Sequence, residues 1–287
     1  MITKILFYLF IIPISILPHK ILYFISDFIY LILFKLIGYR KEVVLNNLKN
    51  SFPEKNINEL NNCMVLFYKH LADLIVESIK GFTISENQLR KRLVIKNPDL
   101  GNRYAQQGLS VIFVGGHFNN WEMCAQAFPL YSLHNCIGIY KPLKNKFMNK
   151  KLLSSRSKYG LNLISMIQAK KSFKNNEKIN AILFASDQNP SSTKKAHWLE
   201  FLNQDTAVSF GLEKYSKEFN LPVIFVSINK LKRGFYEVTH SLITESPNSQ
   251  ANGKITEDFT KMLEKDIINK PQYWLWSHKR WKHKRIN

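Results

Sequence analysis

The sequence is short of acid and of cysteine, and it has no glycine-rich nucleotide loop. Each shortage narrows what the chain can do. Only Cys63, Cys124 and Cys136 are cysteines. They form no C-x-x-C pair and are odd in number, which argues against a disulfide framework or a zinc site and suits a reducing compartment. No Walker loop and no G-x-G-x-x-G run occurs, so no nucleotide cofactor and no metal is expected. No internal repeat or low-complexity linker divides the chain. No apolar run reaches the ~20 clean residues of an easy membrane span. Asp and Glu number 21 against 41 Lys and Arg, a formal net charge of +20. A surplus of that size implies an anionic partner: nucleic acid, an acidic membrane face, or an acidic protein or lipid.

What is present begins with apolar residues. A hydrophobic share of 45% over 287 residues allows one large α/β domain, or a domain plus an anchor. Residues 2–37 are almost wholly apolar, in two runs broken at Leu17-Pro18-His19-Lys20. The second run carries Ile, Leu, Phe and Tyr on all sides, which a soluble core helix seldom does. The expectation is a membrane anchor over residues 1–38 and a single α/β domain over 39–287. The anchor would be one kinked span or a hairpin dipping into one leaflet. Arg40, Lys41, Lys49 and Lys55 follow the apolar segment and only Lys4 precedes it. The positive-inside tendency then puts the body on the cytoplasmic side of the membrane.

The stretch around which the chain is organised is residues 110–122, Ser-Val-Ile-Phe-Val-Gly-Gly-His-Phe-Asn-Asn-Trp-Glu. A β-branched apolar run reads as a buried strand. Two glycines then permit a sharp turn. His117 and Glu122 follow, as the pattern changes to a helix. A neutral imidazole can take a proton near pH 7, and a carboxylate on its other nitrogen would fix the tautomer. No serine or cysteine nucleophile sits at a recognisable elbow, so the pair would act on a hydroxyl supplied by a substrate. A structural reading stands beside this one: Asn119 and Glu122 also have the spacing of a capping box.

Further elements alternate in type. Helices are expected over 40–52, 57–80, 99–107, 168–176, 208–219 and 256–268, with strands over 93–95, 136–140, 161–165, 179–186, 222–228 and 235–240. Residues 191–196 read as a loop. This alternation argues for a central, mostly parallel sheet flanked by helices. His70, Asp73 and Glu77 share the long 57–80 helix, where solvated or helix-pairing roles are the commoner ones. Residues 141–158 hold Lys141, Lys144, Lys146, Lys150, Lys151, Arg156 and Lys158 with no acid, just beyond a strand, where α/β proteins place ligands. The chain ends by interleaving Trp274, Trp276 and Trp281 with base. That pattern points to a membrane interface rather than to nucleic acid.

Taken together these blocks resemble a known family. Gly116-His117-x4-Glu122 resembles the H-x4-D/E motif of glycerolipid-type acyltransferases. The whole chain is similar to the late acyltransferases of lipid A biosynthesis. The likeness runs through Tyr39-Arg40-Lys41, Phe52-Pro53-Glu54, Tyr140-Lys141-Pro142-Leu143, Arg156, Asp187-Gln188, Thr206-Ala207 and the closing Trp276-Ser277-His278-Lys279-Arg280-Trp281. Where that family has an aromatic-glycine step, this chain reads Phe201-Leu202-Asn203.

The resemblance implies transfer of a fatty acyl group from acyl carrier protein, or acyl-CoA, to a hydroxyl of an anionic membrane lipid at the inner membrane. Aminoacyl lipids or lysophospholipids are alternative acceptors, and a thioesterase or a basic membrane-bound binding protein the rival classes. It implies His117 as general base with Glu122 orienting it. Arg156, Gln188, Lys141 and Asn120 would contact substrate or the developing oxyanion, and Asp187 would hold Arg156.

Overall fold

The computed structural model describes residues 2–174, 178–193 and 196–285. The chain opens with helices α1 (Ile2–Ile16) and α2 (His19–Leu36), separated at Pro18. Then come α3 (Lys41–Ser51), α4 (Ile57–Lys80), α5 (Glu86–Arg92), β1 (Leu93–Ile95) and α6 (Asp99–Gln106). The central part holds β2 (Val111–Gly115), α7 (Trp121–Ala127), β3 (Asn135–Tyr140), α8 (Lys146–Arg156), β4 (Asn162–Ser165), α9 (Ala169–Lys174) and β5 (Asn180–Ala185). It closes with β6 (Ala196–Phe201), β7 (Gln204–Ser209), α10 (Gly211–Glu218), β8 (Val223–Lys232), β9 (Phe235–Thr244) and α11 (Lys254–Asn269). The last positions of the expected 168–176 helix, 175 and 176, lie outside the described residues, as do 194 and 195 of the expected loop.

Seven strands make one sheet in the order β1-β9-β8-β2-β5-β3-β4. Every neighbouring pair runs parallel except the β8–β9 hairpin. The mostly parallel α/β sheet expected from the sequence is therefore present. β2 sits centrally, and Val111 to Val114 are buried without alternation, as a strand covered on both faces requires.

The long helix α4 ties the N-terminal segment to this body. It starts on a capping box: Asn56 Oδ1 accepts from the Glu59 N–H at 3.1 Å, and Glu59 Oε2 accepts from the Asn56 N–H at 2.9 Å. Leu60, Met64, Phe67 and Leu74 bury its apolar stripe. His70, Asp73, Glu77 and Lys80 on this helix are buried as well, which corrects the solvated reading of the first three. Lys80 Nζ donates to the carbonyls of Ser15 at 3.0 Å, Ile16 at 3.3 Å and Leu17 at 3.1 Å. These carbonyls end α1, where intrahelical donors run out and a cation is favoured. Asp73 accepts from Ser26 Oγ of α2 at 2.8 Å, and Glu77 from the Tyr23 hydroxyl at 2.9 Å.

Among the described residues no single helix is long and apolar enough to cross a membrane; α2 with α3 has the composition but bends by 86° between them. Much of α1 and α2 nonetheless presents large apolar side chains outward, among them Phe24 at 77% and Leu36 at 79% exposure.

Two local expectations are corrected, and one element appears for which no expectation was given. The basic segment contains helix α8, capped by Asn145 Oδ1 on the Met148 N–H at 3.0 Å. The start of the expected 208–219 helix is the end of β7. This strand pairs with β6 across a two-residue turn, Leu202 (φ 51°) and Asn203 (φ 61°). Left-handed backbone at both central residues is the hairpin type that usually signals itself by Asn-Gly; Leu-Asn gives no such signal, though it stands where the resembled family has glycine. Finally, the C-terminal tail is core rather than interface. Trp274, Trp276 and Arg280 are buried, and Trp276 Nε1 donates to the Pro271 carbonyl at 2.6 Å. Trp276→Ala should therefore cost about 3–5 kcal/mol in denaturant unfolding, where a surface tail residue would cost under ~0.5 kcal/mol.

Candidate active site

The parallel register of two central strands sets the site. Gly115 of β2 lies opposite Ala185 of β5, and the Ser186 N–H extends the ladder to the Gly115 carbonyl at 3.2 Å. One step further the chains bring His117 and Asp187 together at the C-terminal ends of their strands. Asp187 Oδ1 binds His117 Nδ1 at 2.6 Å. Its Oδ2 accepts the His117 backbone N–H at 2.8 Å and Trp274 Nε1 at 2.9 Å. The carboxylate is thus satisfied on both oxygens while buried, as an interior charge must be.

Gly116 makes this approach possible: a Cβ there would stand 2.7 Å from Leu263 Cδ2 and 3.3 Å from the Asp187 carboxyl carbon. Phe118 bridges to Trp274, and the Asn119 N–H donates to the Tyr273 carbonyl at 2.9 Å. These bonds hold the loop after His117 against the C-terminal segment.

Electrostatics follow from this packing. Burial pulls the His117 pKa down, but the Asp187 charge and hydrogen bond outweigh it, and the pKa ends above the ordinary histidine value. The Glu122 charge adds to that rise and Arg156 opposes it. Burial alone would raise Asp187; the His117 charge and the donated bonds bring it down to about 2. Near pH 7 Asp187 is ionised and accepts at Nδ1, so a neutral His117 carries its proton there and has Nε2 as its basic atom. The His117 side chain is 19% exposed, and its ring meets the edge of Trp121 at 5.1 Å between centroids.

This geometry replaces the expected pairing. Glu122 does not orient His117, because Asp187 already holds Nδ1. Asn119 adopts a left-handed backbone (φ 54°), so the helix begins only at Trp121. Glu122 then accepts both Arg156 Nε, at 2.7 Å, and Arg156 Nη2, a bidentate pair. Asp187 likewise does not hold Arg156. The capping-box alternative fails too, since the helix cap is Asn120, whose Oδ1 accepts the Met123 N–H at 2.8 Å.

The remaining expected site residues divide. Asn120 is buried, and its Nδ2 donates to Glu77 Oε2 at 2.6 Å while its Oδ1 caps the helix. These bonds shape the loop after His117. Lys141 is exposed at the end of β3, next to β5 in the sheet. Gln188 is half-buried, beside Asp187 in the chain.

Sequence reasoning missed two participants. Trp274 binds Asp187 directly. His278 Nε2 accepts the Asn189 N–H at 3.2 Å, two residues beyond Asp187. The closing Trp-x-His-x-Arg-Trp run carried the signal, but its aromatic and basic mixture read as surface. Gly116→Ala should cost about 1–3 kcal/mol in denaturant unfolding by overpacking, with Leu263→Ala in the same chain recovering part of the loss.

The family model described as bacterial lipid A biosynthesis acyltransferase matches residues 1–283. A lipid A biosynthesis palmitoleoyltransferase of Escherichia coli strain K12 is 22% identical over 278 residues, covering 93% of this chain and 86% of its own length. A lipid A biosynthesis acyltransferase of Shigella flexneri matches with the same identity and coverage. With the family model spanning almost the whole chain, the protein belongs to the bacterial lipid A biosynthesis acyltransferases.

Proposed function

We propose that the protein moves a fatty acyl group from a thioester donor, acyl carrier protein or acyl-CoA, to a hydroxyl of a lipid A precursor, with His117 as general base. The observation that carries this reading is the Asp187 bond to His117 Nδ1, which leaves Nε2 for a substrate proton. Nε2 takes the proton of the acceptor hydroxyl as its oxygen attacks the thioester carbonyl carbon. The tetrahedral intermediate collapses with loss of the C–S bond, and the proton on Nε2 goes to the departing sulfur. Asp187 stabilises the imidazolium in between, a triad logic without the serine. No covalent acyl-enzyme is needed.

Arg156 is the candidate donor to the oxyanion. Glu122 holds its guanidinium through Nε and Nη2, which fixes the plane from which the remaining N–H groups point. Lys141, Lys144 and Lys146 are exposed along the same edge. A basic rim of this kind raises the local concentration of an acidic carrier protein or an anionic lipid head. The outward apolar residues of α1 and α2 suit the interfacial layer of a membrane. Residues 1–38 are accordingly assigned to contact the inner membrane, with the 39–287 domain on its cytoplasmic face.

Purified protein given labelled acyl carrier protein thioesters and a panel of acceptors tests this. The panel holds a lipid A precursor, a lyso-aminolipid and a lysophospholipid. Transfer to the lipid A precursor should fall by about two to four orders of magnitude in His117→Ala. Acyl release that ignores every acceptor contradicts the transferase reading and indicates a thioesterase.

The pH profile adds a second check. The reactive form of His117 is unprotonated, and its pKa lies above the ordinary histidine value, so the rate should rise with pH through a value above ~6.5. Asp187→Asn removes the group that raises this pKa. Its acidic limb should move to lower pH while the plateau falls. An unmoved limb contradicts the role given to Asp187.

A further inference from the structure

The proton transfer leaves a second feature of the molecule unassigned. A cleft of about 370 Å³ opens between α2, α4 and the C-terminal turn. Leu33, Leu71, Ile75 and Leu275 form its apolar walls, with Arg40, Ser277 and His278 among its polar lining. Its size is within the range of small-molecule sites, and the combination of apolar walls with few convergent polar groups is typical of them.

The polar end is built, not incidental. Arg40 adopts a left-handed backbone (φ 52°), a conformation disfavoured for any residue with a Cβ and found where surroundings enforce it. The enforcing bonds lie on both sides. The Tyr39 N–H donates to the Leu33 carbonyl at 2.9 Å, and the Tyr39 carbonyl accepts the Tyr68 hydroxyl. Arg40 Nη1 donates to the Ser277 carbonyl at 2.9 Å. Arg40 is otherwise exposed, so its remaining guanidinium N–H groups are open to solvent or to a ligand.

His278 is held just as firmly. Its backbone N–H donates to the Leu275 carbonyl at 3.0 Å, and its own carbonyl accepts Asn47 Nδ2 at 3.0 Å. Its Nε2 accepts from Asn189, so the neutral ring bears its proton on Nδ1 and offers one donor. Burial keeps the ring neutral, lowering its pKa to about 4. Through its bond to Asn189, two residues beyond Asp187, His278 places the polar end of the cleft beside the loop that carries Asp187.

We propose that this cleft binds one hydrocarbon chain of an anionic amphiphile, with the anionic head on the Arg40 guanidinium and the His278 Nδ1–H. A guanidinium fork and a neutral imidazole donor suit a phosphate or carboxylate. The apolar walls reject the head and accept the chain. This rests on the transfer reading for its biological meaning, since the bound amphiphile would be a substrate. Binding itself is measured without transfer.

The test is equilibrium binding by the full-length protein of dodecyl phosphate, dodecanol and inorganic phosphate, each below the micelle concentration. Wild type should bind dodecyl phosphate about tenfold or more tighter than dodecanol, since a charge-assisted bond is at stake. Inorganic phosphate should compete weakly, because it brings no chain. Arg40→Gln and His278→Ala should lose most of the preference for phosphate over alcohol and keep dodecanol binding. Ile75→Trp, which fills the half-buried apolar wall, should lose both ligands. His117→Ala should bind as wild type does, so a failure of the transfer chemistry leaves this result untouched. Retained head discrimination in both polar variants overturns the proposal. So does unchanged chain binding in Ile75→Trp, or equal affinity for inorganic and dodecyl phosphate.

Discussion

The bond between His117 Nδ1 and Asp187 depends on two parallel strands keeping their register. Gly115 and Ala185 face each other, and the His117–Asp187 pair is the continuation of that ladder past the strand ends. A slip of one residue would turn either side chain to the other face of the sheet. Much of the surrounding structure holds this register and its exit loops. Gly116 removes the Cβ that would push Asp187 away. Trp274 fills the second carboxylate oxygen, and the Phe118–Trp274 bridge binds the loop to the C-terminal segment.

The same loop is tied to the N-terminal helices through α4. Asn120, which caps the helix bearing Glu122, donates to Glu77. Glu77 also accepts the hydroxyls of Tyr23 on α2 and Tyr236 on β9. Nearby, Asp73 gathers Lys230 Nζ at 3.1 Å and Arg233 Nε at 2.8 Å along with Ser26. Buried carboxylates of this kind persist only when fully bonded. Here the bonding partners come from the apolar N-terminal segment, the sheet and the loop after His117 at once. The N-terminal segment is therefore joined to the candidate site by hydrogen bonds as well as by chain.

The centre of the sheet was legible in the sequence because β2 is buried without alternation and, like β5, reads as an apolar run. His117 was legible for the same reason: a polar residue directly after such a run, behind two glycines, stands out. Its partner was not, because the pairing is a matter of register between strands about seventy residues apart, whereas Glu122 lies nearby in sequence. Local spacing favoured the wrong carboxylate. The hairpin at Leu202-Asn203 was hidden because its left-handed turn uses a leucine. The C-terminal tryptophans were misplaced because their pattern with lysine and arginine is the same for an interface as for a core whose cations point outward or, like Arg280, bond to a backbone carbonyl.

The central claim is that Asp187, not Glu122, orients His117. The most direct test is nitrogen and proton NMR of the His117 ring in the wild type, Asp187→Asn and Glu122→Gln. The account predicts a low-field Nδ1–H resonance, with neutral His117 as the Nδ1–H tautomer, in the wild type and in Glu122→Gln. In Asp187→Asn that resonance should be lost and the His117 pKa should fall. A resonance that survives Asp187→Asn and vanishes in Glu122→Gln would contradict the account and restore the sequence-adjacent pair.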